Sequence, residues 1–172
     1  LFETRDSVGE NNNVSLLELP EENDWVLLSH YNDKSFLRNL LAFHLSEKMG
    51  QYAPRAKLCE VFINDVYQGI YLFSEKLKRD KNRIDIAKLN PDENEGEDLT
   101  GGYIFKIDYT DGDDYWVSKY SPIDHSGFTI KFVHYYPETE VITWQQKNYI
   151  STYVTDFETA LYTKEFDDPQ GY

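Results

Sequence analysis

Two alternating apolar runs, residues 56–63 (AKLCEVFI) and 66–75 (VYQGIYLFSE), stand on either side of Asn64-Asp65. Period-two patterning with β-branched and aromatic residues reads as strand. Asn and Asp tolerate positive φ, so a two-residue link of this kind predicts a tight hairpin. This hairpin is the clearest local structure in the chain, and it commits the fold to antiparallel pairing.

Other elements follow by weaker signals. Leu1 to Arg5 reads as the end of a strand, and Asp6 to Asn13 as a polar turn. Residues 14–19 form a short apolar stretch closed by Pro20, and Trp25 to Ser29 form another. Asp33 is placed to cap a helix from about Lys34 to Met49 with Gly50 as its stop. Leu37, Leu40, Leu41 and Leu45 fall at helical spacing and are its expected buried stripe, flanked by Phe36 and Phe43. Strands are expected over 102–108 (GYIFKID) and 129–134, with a loop at 90–100 (NPDENEGEDLT). Thr143 and Gln146 make a capping box that opens a helix to about Tyr162, with Ile150, Val154, Phe157 and Leu161 as its inner face. The sum is an α+β fold, a mostly antiparallel sheet with two main helices.

Composition limits the partners. Hydrophobic residues make up 40% and aromatics 16%, so the chain folds despite a net charge of -14. That charge argues against wrapping nucleic acid or adhering to anionic lipid, because both need a positive field. No apolar run approaches the ~20 residues that span a bilayer, so membrane insertion is not expected. The one cysteine, Cys59, forbids an internal disulfide and reads as a buried, inert thiol.

The chemistry-bearing groups are few. Four scattered histidines have no metal-pair spacing, and no G-x-S-x-G or other nucleophile signature occurs. The acidic turn Asp108 to Asp114 invites a calcium reading, yet Thr110 and Gly112 stand where ligands belong, and a solvated loop is the simpler account. Lys76 to Arg83 (KLKRDKNR) is the one basic cluster. It follows a strand ending in Glu75, so Lys76, Lys78 or Arg79 could receive phosphate, or the segment is a surface loop that offsets nearby carboxylates. Lys106 lies inside an apolar strand, where an unpaired ammonium is costly. It is either on a solvated face or paired with a carboxylate such as Glu75.

Three segments together resemble the CotH kinase family: DWVLLSHYNDKSFLRN (24–39), YAPRAKLCEVFINDVYQGIYLFSEKLKRDKNRIDI (52–86) and GGYIFKID (101–108). The most specific parts are Ala-Pro-Arg, the Asn-x-x-Tyr-x-Gly-x-Tyr hairpin and Glu-Lys. The resemblance runs in order from about residue 1 to residue 172 and implies the N-terminal portion of an atypical protein-kinase-like fold. It implies phosphorylation of protein serines with ATP and Mg2+ or Mn2+, and an exported or cell-surface place in a bacterium.

In that family the catalytic and metal-binding acids lie on segments resembling N-x-D and P-W-D, and no P-W-D occurs in this chain. The chain is therefore expected to be a partial domain over 1–172, cut from a longer protein, with no catalytic or metal residues and no activity alone. Carried over by position, Lys106 is expected to contact phosphate or pair with Glu75, the acid that ends the hairpin strand. Tyr71 would pack on adenine or in the core, and Arg38 would be functional or a structural ion pair. Lys76, Lys78 and Arg79 complete the nucleotide-binding candidates. The alternative is a non-catalytic surface module of the same shape, making protein or carbohydrate contacts.

Overall fold

The computed structural model describes residues 1–122 and 124–164. The chain divides into two compact units, Leu1–Asp85 and the portion from Ile86 onward.

The first unit is built on the hairpin. β3 (Ala56–Ile63) and β4 (Val66–Glu75) pair antiparallel, with Ile63 opposite Val66. Asn64 and Asp65 both take positive φ, 50° and 61°, the backbone that a twisted two-residue turn requires. β2 (Asp24–Ser29) pairs with the other edge of β4, and β1 (Phe2–Glu3) pairs with β2. The resulting order is β1-β2-β4-β3, antiparallel throughout. Its core is Leu19, Trp25 and Phe73, with Phe2, Leu16, Leu27 and Cys59 packed around them. Trp25 stacks on Phe73 at 4.8 Å between ring centroids. Burial raises the pKa of Cys59, in keeping with an inert thiol.

The first helix departs from expectation in both start and burial. α1 spans Arg38–Lys48 rather than beginning near Lys34. Phe36 adopts φ 59°, which interrupts helical winding, and Asp33 organises a turn before it. The Asp33 carboxylate still accepts from the amide of Arg38 at 3.0 Å, so it serves the helix's first N–H from outside the helix. The stripe expected to be buried is open: Leu37, Leu41 and Leu45 are 56%, 56% and 52% exposed, and no residue of α1 is buried. Helical spacing says which residues share a face; it does not supply a surface to cover them.

The second unit carries a three-stranded antiparallel sheet, β5 (Ile104–Ile107), β6 (Tyr115–Val117) and β7 (Lys131–Tyr136), in the order β5-β7-β6. β6 went unforeseen because a three-residue strand has too little alternation to read. α2 (Trp144–Thr163) opens on the expected capping box of Thr143 and Gln146. Ile150 and Val154 are buried against Phe132 and form the unit's core with Tyr103, Trp116, Ile130 and Tyr149 around them. Phe157 and Leu161 are more exposed than expected of an inner face. Gln146 is fully buried instead, its amide donating to the carbonyls of Asn90 at 2.7 Å and Glu93 at 3.1 Å. Gly102 explains part of the GGYIFKID motif: it takes φ +79°, and a Cβ there would meet the Ala87 carbonyl oxygen at 2.5 Å.

Candidate functional site

Hairpin register creates the most tightly bonded polar contact of the first unit. Ala56 faces Ser74, so Arg55 and Glu75 stand opposite one another at the strand ends. The Arg55 guanidinium grips the Glu75 carboxylate through two bonds, Nη2 to Oε1 at 2.6 Å and Nε to Oε2 at 3.1 Å. The Arg55 amide donates to the same Oε2 at 3.0 Å, and the Glu75 amide donates to the Arg55 carbonyl at 3.2 Å. The Glu75 side chain is 1% exposed and that of Arg55 46%. A buried carboxylate is thus held by a bidentate fork whose outer edge reaches the surface. Beside it, burial and the Glu75 charge push the Tyr52 hydroxyl up to about 12, so Tyr52 stays a neutral donor.

The basic segment after β4 divides into two roles. The Lys78 ammonium lies 2.8 Å from Asp24 and 3.1 Å from Glu22, and Lys76 lies 3.8 Å from Asp24. Burial alone would raise the Asp24 carboxyl, but the hydrogen bond and charge of Lys78, with Lys76 and Arg83 behind it, bring it below the usual range. Arg83 is buried, donates to the carbonyls of Lys76 and Asp24 at 2.8 Å each, and lies 5.3 Å from the Trp25 ring centroid. These cations fasten the segment to β2.

Four cations meet in a cleft of about 650 Å³. Its walls are one face of α1 (Leu40, Phe43, His44, Glu47), the chain from Gln51 to Lys57, and Lys81 to Arg83. Arg55, Lys57, Lys81 and Arg83 all line it, against the single carboxylate of Glu47. Lys57 has an exposed partner, Glu18, at 2.5 Å. In a chain of net charge -14 this is a local concentration of cations, two of them already paired with Glu75 and Glu18, and guanidinium forks beside ammonium groups are suited to phosphate oxygens.

The family model described as CotH kinase protein matches residues 3–169. The chain belongs to the CotH kinase family. No curated protein and no solved structure matches it.

The residues singled out in this CotH-family sequence lie at several places. Glu75 touches the cleft only through Arg55. Lys76 and Lys78 hold the acids of β2 and its approach, and Arg79 forms a parallel bridge with Ile84. Tyr71 is half-buried on β4, opposite Cys59 and Ser29 and on the face that carries Phe73. Arg38 pairs with Asp33 at 3.7 Å on an exposed surface, the geometry of a weak structural pair. Lys106, in the second unit, pairs with Asp113 at 3.4 Å and lies 5.7 Å from the Tyr135 ring centroid. Its carboxylate partner thus comes from the acidic turn, while Glu75 is held by Arg55.

The acidic turn is itself pinned, Asp113 by Lys106 and Asp114 by Lys147 at 2.6 Å. Among the described residues no group of three or more His, Cys, Asp or Glu is placed to hold a metal ion. No described helix is long and apolar enough to cross a membrane. Arg55, Lys57, Lys81 and Arg83 were not singled out individually from the sequence. The signal was present: the hairpin register opposes Arg55 to Glu75, and the basic cluster runs on to Arg83.

Proposed function

We propose that this chain is part of a CotH-type protein kinase, that its cationic cleft takes the phosphates of ATP, and that it performs no phosphoryl transfer alone. The carrying observation is the convergence of Arg55, Lys57, Lys81 and Arg83 in one cleft of an otherwise acidic family member. A polyphosphate approaching a chain of charge -14 is repelled everywhere except where cations are concentrated. Arg55 offers a planar fork already oriented by Glu75, and Lys57, paired with the exposed Glu18, and Lys81 add point charges.

Phosphoryl transfer needs acids that hold Mg2+ or Mn2+ and a base that orients the acceptor hydroxyl. The described residues do not fit such a metal site. The acids are expected on segments resembling N-x-D and P-W-D, the second of which this chain lacks, and so no step is assigned to it. In the intact protein the acceptor is a protein serine, and the location is exported or at the surface of a bacterium. Lys106 is a further candidate for phosphate and Tyr71 for adenine.

The test is a nucleotide thermal shift in wild type, Lys81→Ala, Lys57→Ala and Lys106→Ala, with phosphate incorporation into an acceptor protein measured in parallel. ATP is expected to raise the wild-type Tm, with the response reduced at Lys81 and Lys57 and no incorporation. Equal responses in wild type and both cleft variants would remove the cleft from the site, and robust incorporation would contradict the inactive-fragment reading. A second reading, a non-catalytic binding module, is favoured by the exposed rings on α2, Trp144 foremost.

A further inference from the structure

The N-terminal part of α2, residues 144–156, carries a groove that the nucleotide reading does not employ. Trp144, Tyr149 and Tyr153 line it, the two tyrosines one helical turn apart, and its volume is about 400 Å³. That volume lies in the ~300–1,000 Å³ range of small-molecule sites. Trp144 is 72% exposed, an unusual cost for the largest apolar side chain. Tyr149 and Tyr153 stack at 6.2 Å with ring planes 27° apart, so two of the rings form a shared platform.

Between the rings stand Asn148, Thr152 and Asp156, with Gln145 and Asn94 at the margin. Asn94 is already bonded to Pro91 and Thr143, but Gln145, Asn148, Thr152 and Asp156 make no side-chain bond to the described residues. The groove therefore pairs flat apolar surfaces with groups that both donate and accept. No Lys or Arg lines it, and its one charge is a carboxylate, so an anionic ligand is disfavoured.

We propose that this groove binds a neutral oligosaccharide, its rings stacking on the C–H faces of the sugar and the polar side chains bonding its hydroxyls. Vicinal hydroxyls donate and accept together, which matches an array of amide, hydroxyl and carboxylate. A proline-rich peptide also fits aromatic grooves, but it presents mainly carbonyl acceptors. Against such a peptide Asp156, an acceptor only, would be left unmatched. The inference stands apart from the kinase reading, since nothing in it depends on ATP or on the cationic cleft.

The experiment is affinity electrophoresis of the chain in gels containing hydroxyethylcellulose, mixed-linkage β-glucan, galactomannan or dextran, with polygalacturonate as the anionic arm. Cellohexaose and a proline-rich decapeptide are titrated in parallel, with tryptophan fluorescence as readout. Trp25 and Trp116 are packed in the two cores, so the solvent-exposed emission reports on Trp144. Retardation is expected in at least one neutral gel, and Trp144→Ala and Asn148→Ala should each weaken it tenfold or more. Unchanged circular dichroism in both variants would exclude misfolding as the cause. Lys81→Ala should bind the polysaccharide as wild type does, which separates this site from the cleft. Absence of retardation in every neutral gel, undiminished retardation in Trp144→Ala, or binding of the peptide or polygalacturonate alone would each overturn the proposal.

Discussion

The two units hold their sheets together by different means. In the first, charged groups are drawn inside: Glu75 is clasped by Arg55, Asp24 and Glu22 by Lys78, and Arg83 lies on Trp25. In the second, rings dominate, with Trp116 stacked on Phe132 at 5.2 Å and Phe105 edge-on to both. Buried ion pairs add little net stability relative to apolar packing, but breaking one leaves a stranded charge. Aromatic packing carries no such penalty and no geometric fork. The ionic unit is thereby the one able to present cations at fixed positions, and the aromatic unit the one able to present flat apolar surface.

Four perturbations test this contrast, in descending order of expected effect. Phe132→Ala should cost the second unit about 4 kcal/mol by opening a cavity among Trp116, Ile150 and Val154. Urea unfolding followed by residue-resolved amide exchange would place the loss there and leave β2–β4 protected. Arg55→Met should cost the first unit about 3 kcal/mol, because the apolar stem is kept while Glu75 loses its fork. If the cost falls below the ~1 kcal/mol typical of surface pairs, the clasp is a surface feature and the contrast collapses.

The third perturbation is pH. Burial depresses His134, and Lys147 adds to this while Asp114 opposes it. A depressed base is stabilising above its unfolded value of about 6.5, and that contribution is lost as pH falls through the lower folded value. Asp24 is a depressed acid, so its contribution is intact above about 3.9 and is lost only in stronger acid. Between pH 7 and pH 5, amide protection should therefore decline in the second unit before the first. Equal decline in the two units, or its persistence in His134→Asn, would count against this assignment. Last, Leu41→Gln on the open face of α1 should change stability by no more than about 0.5 kcal/mol, as thermal melts of the isolated chain would reveal. A larger loss would mean that this face is covered.

Much of the fold was legible because its signals are local. The Asn64-Asp65 turn, both hairpin strands and the Thr143 capping box depend on residues a few positions apart, and all formed as expected. α1 was misread where the outcome depended on more distant surfaces, first at Phe36 and then at the open leucine face. The candidate site was half legible. Lys76 and Lys78 were right as a basic cluster but are committed to Asp24 and Glu22, acids more than fifty residues back in the chain, which spacing cannot reveal.

What the sequence determined by itself was the family, the antiparallel hairpin and the sign of the charge, because each follows from residue types and short spacings. Tertiary structure alone decided which cations are committed to a carboxylate and which meet in one cleft. Arg55 takes Glu75 because strand register opposes them, Lys106 takes Asp113, and Lys57, Lys81 and Arg83 converge from segments that the folding of the first unit brings together. Electrostatic partners are chosen by distance in space, and a one-dimensional pattern carries that distance only where an element is regular enough to set it.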